Sequence, residues 1–233
     1  MSIDSELDSI LADARLSALF QPIVACRDAS LFGYEALIRG PSTSPLHSPL
    51  KLFDAASRSG RLVELDLLCR QVAISRFMQL GLPGRLVLNV TPTTVVQTGF
   101  RRGETMRFLK KASISPDRVV IELTEQVPIH DYQVMRAAVE HYRSMGFSIA
   151  IDDLGAGYSS LRHWAELRPD FVKLDRHFVQ GVDQDEGKRR FIRSILEMSK
   201  SMGCRVIAEG IETLEEYRNL WSMGLEFGQG YYF

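Results

Sequence analysis

Short apolar runs rich in Val, Ile and Leu recur along the chain, and each stops at a polar or acidic residue: LVLN at Asn89, VVIE at Glu122, IAID at Asp152, VKLD at Asp175 and VIAE at Glu209. Runs of this length and composition predict strands buried on both faces, as in parallel sheets. Between them the apolar period lengthens to three or four. Residues 131–146, with Val134, Ala138 and Tyr142 on one face and Gly146 as a stop, predict a helix. So do residues 188–203, with Phe191, Ile195 and Met198 on one face and Gly203 as the stop. The run ends lie roughly 23 to 34 residues apart, the length of a strand–helix unit, without internal sequence repetition.

Two earlier strands are predicted within 16–25 and 30–40, joined by the turn CRDAS, which is short enough for an antiparallel pair. A last strand is predicted near the end, within 225–233. About eight strands suffice to close a (β/α) barrel, whose strand ends would converge on one mouth. An open doubly wound sheet is the alternative, although no GxGxxG follows the first strand. Lys173 and Asp175 share strand parity, so if one points into the barrel the other should too. Residues 1–14 read as a helical lead-in and 15–233 as one domain, with surface loops at Gly40–Leu50 and Gln180–Arg189. The chain stops directly after its last predicted strand, before the closing helix of a standard barrel, and is expected to be a piece of a larger protein.

With 233 residues, 45% hydrophobic and 24% charged, a sizeable core is within reach. The net charge of −1 provides no global field for duplex nucleic acid or an anionic membrane surface. Cys26, Cys69 and Cys204 lie far apart with no CxxC pair, which argues against a zinc site or disulfide framework and fits buried thiols in a reducing compartment. The acidic start lacks the features of a signal peptide, and no run approaches the ~18 apolar residues of a membrane span. A cytoplasmic location is expected. The five histidines show no ligand spacing and are assigned to surface or loops, and Trp164 and Trp221 to packing, with Trp164 a lesser candidate for a subunit contact.

The chemistry lies at the run ends. If Glu35, Glu122, Asp152, Asp153 and Glu209 share one mouth, each like-charge pair at ~4 Å costs about 4 kcal/mol at an effective dielectric near 20. Such a cluster must take up protons or cations. Oxygen donors without cysteine or a histidine partner select hard ions, Mg²⁺ or Mn²⁺. Adjacent carboxylates at Asp152 and Asp153 can face two ions, and Gly155 and Gly157 would let the next loop fold over them. Any one acidic strand end is more often a helix cap or a solvated rim charge; five of them, with Lys173 inside an apolar run, are harder to assign that way.

The blocks YEALIRG, LNVTP, IELTE, IDDLGAGYSS, VKLDR, AEGIET and GQGYYF, in this order, resemble those of the EAL domain, the bacterial cyclic di-GMP phosphodiesterase family, over nearly the whole chain. The resemblance implies a modified TIM-type (β/α) barrel with one early antiparallel strand, and hydrolysis of one phosphodiester of cyclic di-GMP to linear pGpG. It implies two ions, Mg²⁺ or Mn²⁺. Glu35, Asn89, Glu122 and Asp152 would hold one of them; Asp153, sharing Asp152, would hold the second, and Glu209 would complete the set. Lys173 would orient the water and handle its proton, and Glu125 would tether the DDLGAGYSS loop. Gln21, Arg39 and Asp175 are placed at the substrate, Arg39 through its fork of donors toward phosphate, and Gln229 near the metals. Leu154 and Ala156 depart from the Phe and Thr commoner in the family, and the loop RGPSTSPLHSP also differs; tuned loop mobility and altered substrate access are expected, without loss of catalysis. A homodimer, and fused sensory or cyclase-like domains, are further expectations from the resemblance. The rival reading is a cyclic di-GMP receptor or interaction module with little turnover; loss of Glu35, Asp152 or Lys173 would have pointed to it, and all three are present.

Overall fold

The computed structural model describes residues 2–97, 103–123, 132–154 and 161–233, with the backbone alone at 132, 153–154 and 161–163. Helix α1 (Ile3–Ala12) starts on an N-cap at Ser2, whose hydroxyl accepts from the Ser5 amide, and buries Leu7, Ile10 and Leu11. Strands β1 (Ser17–Ala25) and β2 (Leu31–Arg39) form the antiparallel hairpin that the short turn requires, with Gln21 opposite Glu35. Two helices follow, α2 (Pro49–Arg58) and α3 (Leu62–Gln79), and pack with α1 through Leu52, Leu65 and Cys69. Pro49 begins α2, where its missing N–H costs nothing, so the Pro/Ser-rich segment ends two residues sooner than its composition predicts.

From β3 (Arg85–Val90) onward the chain alternates parallel strands with helices. A 3₁₀ turn (Pro92–Val96) and α4 (Glu104–Lys111) lead to β4 (Val119–Leu123). Then come α5 (Tyr132–Arg143), β5 (Ser148–Leu154), α6 (Leu161–Leu167), β6 (Phe171–Leu174), the short α7 (Arg176–Val179) and α8 (Glu186–Met202). The chain continues through β7 (Arg205–Ala208), α9 (Leu214–Ser222) and β8 (Phe227–Gly228). The eight strands close in sequence order into one barrel, with β1 antiparallel to both neighbours and all other pairs parallel. Gly203, at φ +67°, ends α8 in the left-handed conformation that glycine adopts without strain. The last strand is only two residues long, and beyond it Gln229 donates to the Ala208 carbonyl while Ile211 donates to the Gln229 carbonyl. A Cβ at Gly230 would overlap the Ile211 carbonyl, so only glycine lets the two segments meet.

Two packing layers result. Outside the barrel, Leu86, Leu88, Ile121, Ile149 and Ile151 meet Ala138, Val139 and Tyr142 of α5, and Trp164 packs with Val172 and Leu174 against Ile192 and Ile195 of α8. Inside, Ile23, Val87, Val120, Ala150, Phe171, Ile207 and Phe227 form an apolar floor. Phe32 lies 4.4 Å from the Phe227 ring, and the Arg205 guanidinium sits 4.3 Å from the Phe171 centroid, closing the barrel from below. Trp164 and all three cysteines are buried, whereas Trp221 is half-exposed on α9 and is not the packing residue expected of it. Trp164, packed inside this chain's own core, has no surface to offer a subunit contact. His47, whose Nδ1 lies 2.8 Å from the Gly40 carbonyl, and His177 are exposed; His130 and the His163 side chain lie outside the described residues. Among the described residues no helix is long and apolar enough to cross a membrane.

Candidate functional site

Side chains alternate across a strand, so the residue two positions beyond each floor residue, toward the mouth, also points inward. Val87 is followed by Asn89, Val120 by Glu122, Ala150 by Asp152, Phe171 by Lys173, Ile207 by Glu209 and Phe227 by Gln229, while antiparallel β1 has Gln21 beside Ile23 in the same sense. A polar tier thus stands directly on the apolar floor. Glu35 of β2 joins it from beside Gln21.

Lys173 is the hub of this tier and is only 1% exposed. Its Nζ donates to Glu35 Oε2 and Glu122 Oε1, each at 2.9 Å, and lies 2.6 Å from Glu209 Oε1 and 3.7 Å from Asp152 Oδ1. Gln229 Nε2 bridges Glu35 Oε2 and Glu209 Oε1, both at 2.9 Å, and Asn89 Nδ2 donates to Glu35 Oε1 at 3.0 Å.

The electrostatics follow from burial and charge. Burial would lower the Lys173 pKa, but the surrounding Glu122, Glu35, Glu209 and Asp152 outweigh it and hold the ammonium well above the ordinary lysine range. Burial alone would also raise Glu35, yet the Lys173 charge and the hydrogen bonds from Asn89 and Gln229 hold it below the usual carboxylate range. Glu122 is fully buried; burial first, then the Glu35 charge, pushes it well up despite Lys173. Burial likewise pushes Glu209 up to about 7 against the pull of Lys173.

Four carboxylates around one ammonium leave a surplus of negative charge. Two buried acceptors, Glu122 Oε2 and Gln229 Oε1, have no hydrogen-bond partner among the described residues. An orphaned carboxylate oxygen in a tier of oxygen donors fits a hard divalent cation. As placed, the carboxylates close on the ammonium, and among the described residues no three acidic, histidine or cysteine side chains are gathered to hold an ion.

Other predicted residues lie around this tier. Arg39, at the end of β2, lines a cavity of about 300 Å³ together with Glu35, Asn89 and Asp152. Gln21, Asp175, Glu209 and Gln229 line a second hollow. Asp175, two positions beyond Lys173, takes up a helix cap as well as lining this hollow. Strand β6 stops at Leu174, and Asp175 becomes the N-cap of α7, its Oδ1 accepting from the His177 amide at 2.7 Å. Glu125, Gly155 and Gly157 and the side chain of Asp153 lie outside the described residues. Sequence reasoning passed over Arg176, Glu212 and Tyr231, which share the hollow with Asp175. Glu212 and Arg176 fall inside the quoted blocks AEGIET and VKLDR, and only the turns after β6 and β7 bring them together.

A family model of the EAL domain matches residues 5–233. A probable cyclic di-GMP phosphodiesterase of Escherichia coli, PdeG, is 30% identical over 92% of this chain and 43% of its own length. Among solved structures, a calcium and cyclic di-GMP complex of Klebsiella pneumoniae BlrP1 superposes with a TM-score of 0.84 at 32% identity, covering 94% of this chain and 55% of that one. A standalone EAL protein from Vibrio cholerae, bound to cyclic di-GMP, gives a TM-score of 0.83 at 32% identity over 94% of this chain and 90% of its own. The chain spans less than half of the length of PdeG and of several other curated relatives it matches, and about a third or less of some.

Proposed function

This chain belongs to the EAL domain family, and on that premise we propose that it hydrolyses cyclic di-GMP to linear pGpG. The observation that carries the proposal is the tier of Glu35, Asn89, Glu122, Asp152 and Glu209 around Lys173, with orphaned oxygens, beside a cavity that Arg39 lines. Glu35, Asn89, Glu122 and Asp152 would hold one divalent ion, Asp152 and Asp153 a second, with Glu209 completing the set, and Mg²⁺ or Mn²⁺ matches these oxygen donors. When bound, such ions supply Lewis-acid activation of water and charge stabilisation at phosphorus.

The chain's own residues do the rest. Lys173, bonded to three carboxylates, keeps them in register and is a donor as it stands, so it orients the attacking water and handles protons without serving as a free amine base. Asn89 and Gln229 fix the two oxygens of Glu35 from opposite sides. Arg39 receives a phosphate oxygen, and Gln21 and Asp175 face the nucleotide from the second hollow. In the balanced reaction, water adds its hydroxyl to phosphorus, the bond from phosphorus to the 3′ oxygen breaks, and that oxygen leaves with the proton. The reading extends to a cytoplasmic reaction, to pairing of two copies, and to fused sensory or cyclase-like domains, in keeping with the greater length of the relatives.

The test is incubation with cyclic di-GMP and Mn²⁺ or Mg²⁺, beside Glu35→Ala, with products followed by chromatography. Metal-dependent pGpG that disappears in the variant is expected. Binding without turnover in either metal would overturn the enzyme reading in favour of a receptor.

A further inference from the structure

Helix α3 carries a charged pair where its pattern calls for apolar residues. Asp66 and Arg70, one turn apart, are each 1% exposed, and Arg70 Nη2 meets Asp66 Oδ2 at 2.5 Å. Arg70 Nε also donates to the Asp66 carbonyl at 3.3 Å within the helix, and the other bonds leave it. Arg70 Nη1 donates to Thr105 Oγ1 of α4 at 2.6 Å and to the Tyr142 hydroxyl of α5 at 3.0 Å. Asp66 Oδ1 accepts from the Thr91 backbone amide at 3.2 Å, and Oδ2 accepts from Thr94 Oγ1 at 3.2 Å, a hydroxyl shared with the Thr91 carbonyl at 2.7 Å.

Thr91 is the first residue after β3 and lies two positions beyond Asn89. Asp66 therefore caps the 3₁₀ turn at the point where the strand carrying Asn89 ends. Arg70, itself held on α4 and α5, also borders the cavity lined by Glu35, Arg39, Asn89 and Asp152. A buried ion pair seldom repays its desolvation in stability, and a pair of apolar residues would pack α3 as well. What the pair adds is a fixed exit for β3. We infer that Asp66 and Arg70 are positioning residues that set the Asn89 carboxamide against Glu35, through Thr91 and Thr94. Asn89 donates to Glu35 at 3.0 Å, so a shift of the β3 exit would be felt in the ring around Lys173.

Only the kinetic part of the test rests on the phosphodiesterase reading. The side-chain amide cross-peaks of Asn89 in a nitrogen–proton spectrum, assigned by their loss in Asn89→Asp, are compared in the native chain, Asp66→Asn and Thr94→Val. Both variants keep the shape of the replaced residue; Asp66→Asn removes the charge facing Arg70, and Thr94→Val removes only the hydroxyl. The Asn89 cross-peaks are expected to move in both. In turnover, Asp66→Asn should lower kcat about tenfold, as a misplaced group does, with KM held within about twofold. In an Asn89→Ala background, Asp66→Asn should cost little more, because residues acting through one group are not additive. Unmoved Asn89 cross-peaks, or losses that multiply in the double variant, would overturn the inference. Should Asp66→Asn fail to fold, Thr94→Val decides it. Should the native chain show no turnover, the proposed function fails while the cross-peaks still decide this point.

Discussion

Lys173 holds three carboxylates within 2.9 Å in a place with almost no solvent, so removing its charge should be felt far more than losing one surface ion pair. Lys173→Met is expected to lower the stability of the metal-free protein by about 3–5 kcal/mol at neutral pH, the range for breaking a buried pair from one side. The stranded carboxylates respond by taking up protons, so the deficit in urea midpoint should shrink as the pH is lowered from 7 to 5. Glu122→Gln should act in the opposite sense. Glu122 is fully buried, is pushed up by burial and by Glu35, and leaves Oε2 without a partner. Its neutral replacement is expected to match or exceed the native thermal midpoint without metal and to lose part of the midpoint rise that millimolar Mn²⁺ is expected to bring to the native chain if the proposed function holds. Most of these side chains were legible in the sequence, because a polar residue ending an apolar run has few other reasons to recur. The bonds that Lys173 makes were not, since they join residues as far apart as Glu35 and Glu209.

Strands obey a period of two; Asn89, Glu122 and Asp152 keep it within their strands, and Glu209 keeps it one residue past β7. At Asp175, also one residue past its strand, the chain turns at once into α7 and the carboxylate caps that helix. Only the neighbouring turns decide where a four-residue strand stops. Glu216 of α9 illustrates the same dependence. Beyond closing the capping box with Thr213, its Oε1 accepts from the Gly181 amide and its Oε2 from the Glu212 and Thr213 amides, tying the segment after α7 to the turn that follows Glu209. Glu216→Ala would strip acceptors from three amides in a site only 5% exposed. A loss of about 2–4 kcal/mol in urea unfolding is expected, beyond the ~1 kcal/mol of a cap alone. The Thr213 and Glu216 spacing announces the cap; nothing local announces Gly181, which lies 35 residues away.

Closure of the barrel places three thiols in apolar surroundings, and this has a consequence for alkaline stability. Burial pushes Cys26 up to about 12 and Cys204 up to about 11, while an unfolded cysteine ionises near 8.5. Above that value the unfolded chain has released protons that the native state still holds, so the native state is disfavoured as pH rises. Each of the two thiols should cost about 1.4 kcal/mol per pH unit between roughly 9 and its native pKa. Urea midpoints of the native chain should therefore fall between pH 8 and pH 10 more steeply than those of a Cys26→Ala, Cys204→Ala double variant. The alternation of strands and helices, the hairpin at the start and the inward polar tier were determined by the sequence alone, because they depend on local period, turn length and parity. Tertiary structure decided that the sheet closes rather than staying open, that Arg70 and Asp66 sit in the core, that Asp175 caps a helix, and that Arg176, Glu212 and Tyr231 share a hollow with it. Each of these depends on contacts between residues distant in the chain, whose favourable energy exists only once the barrel has brought them together.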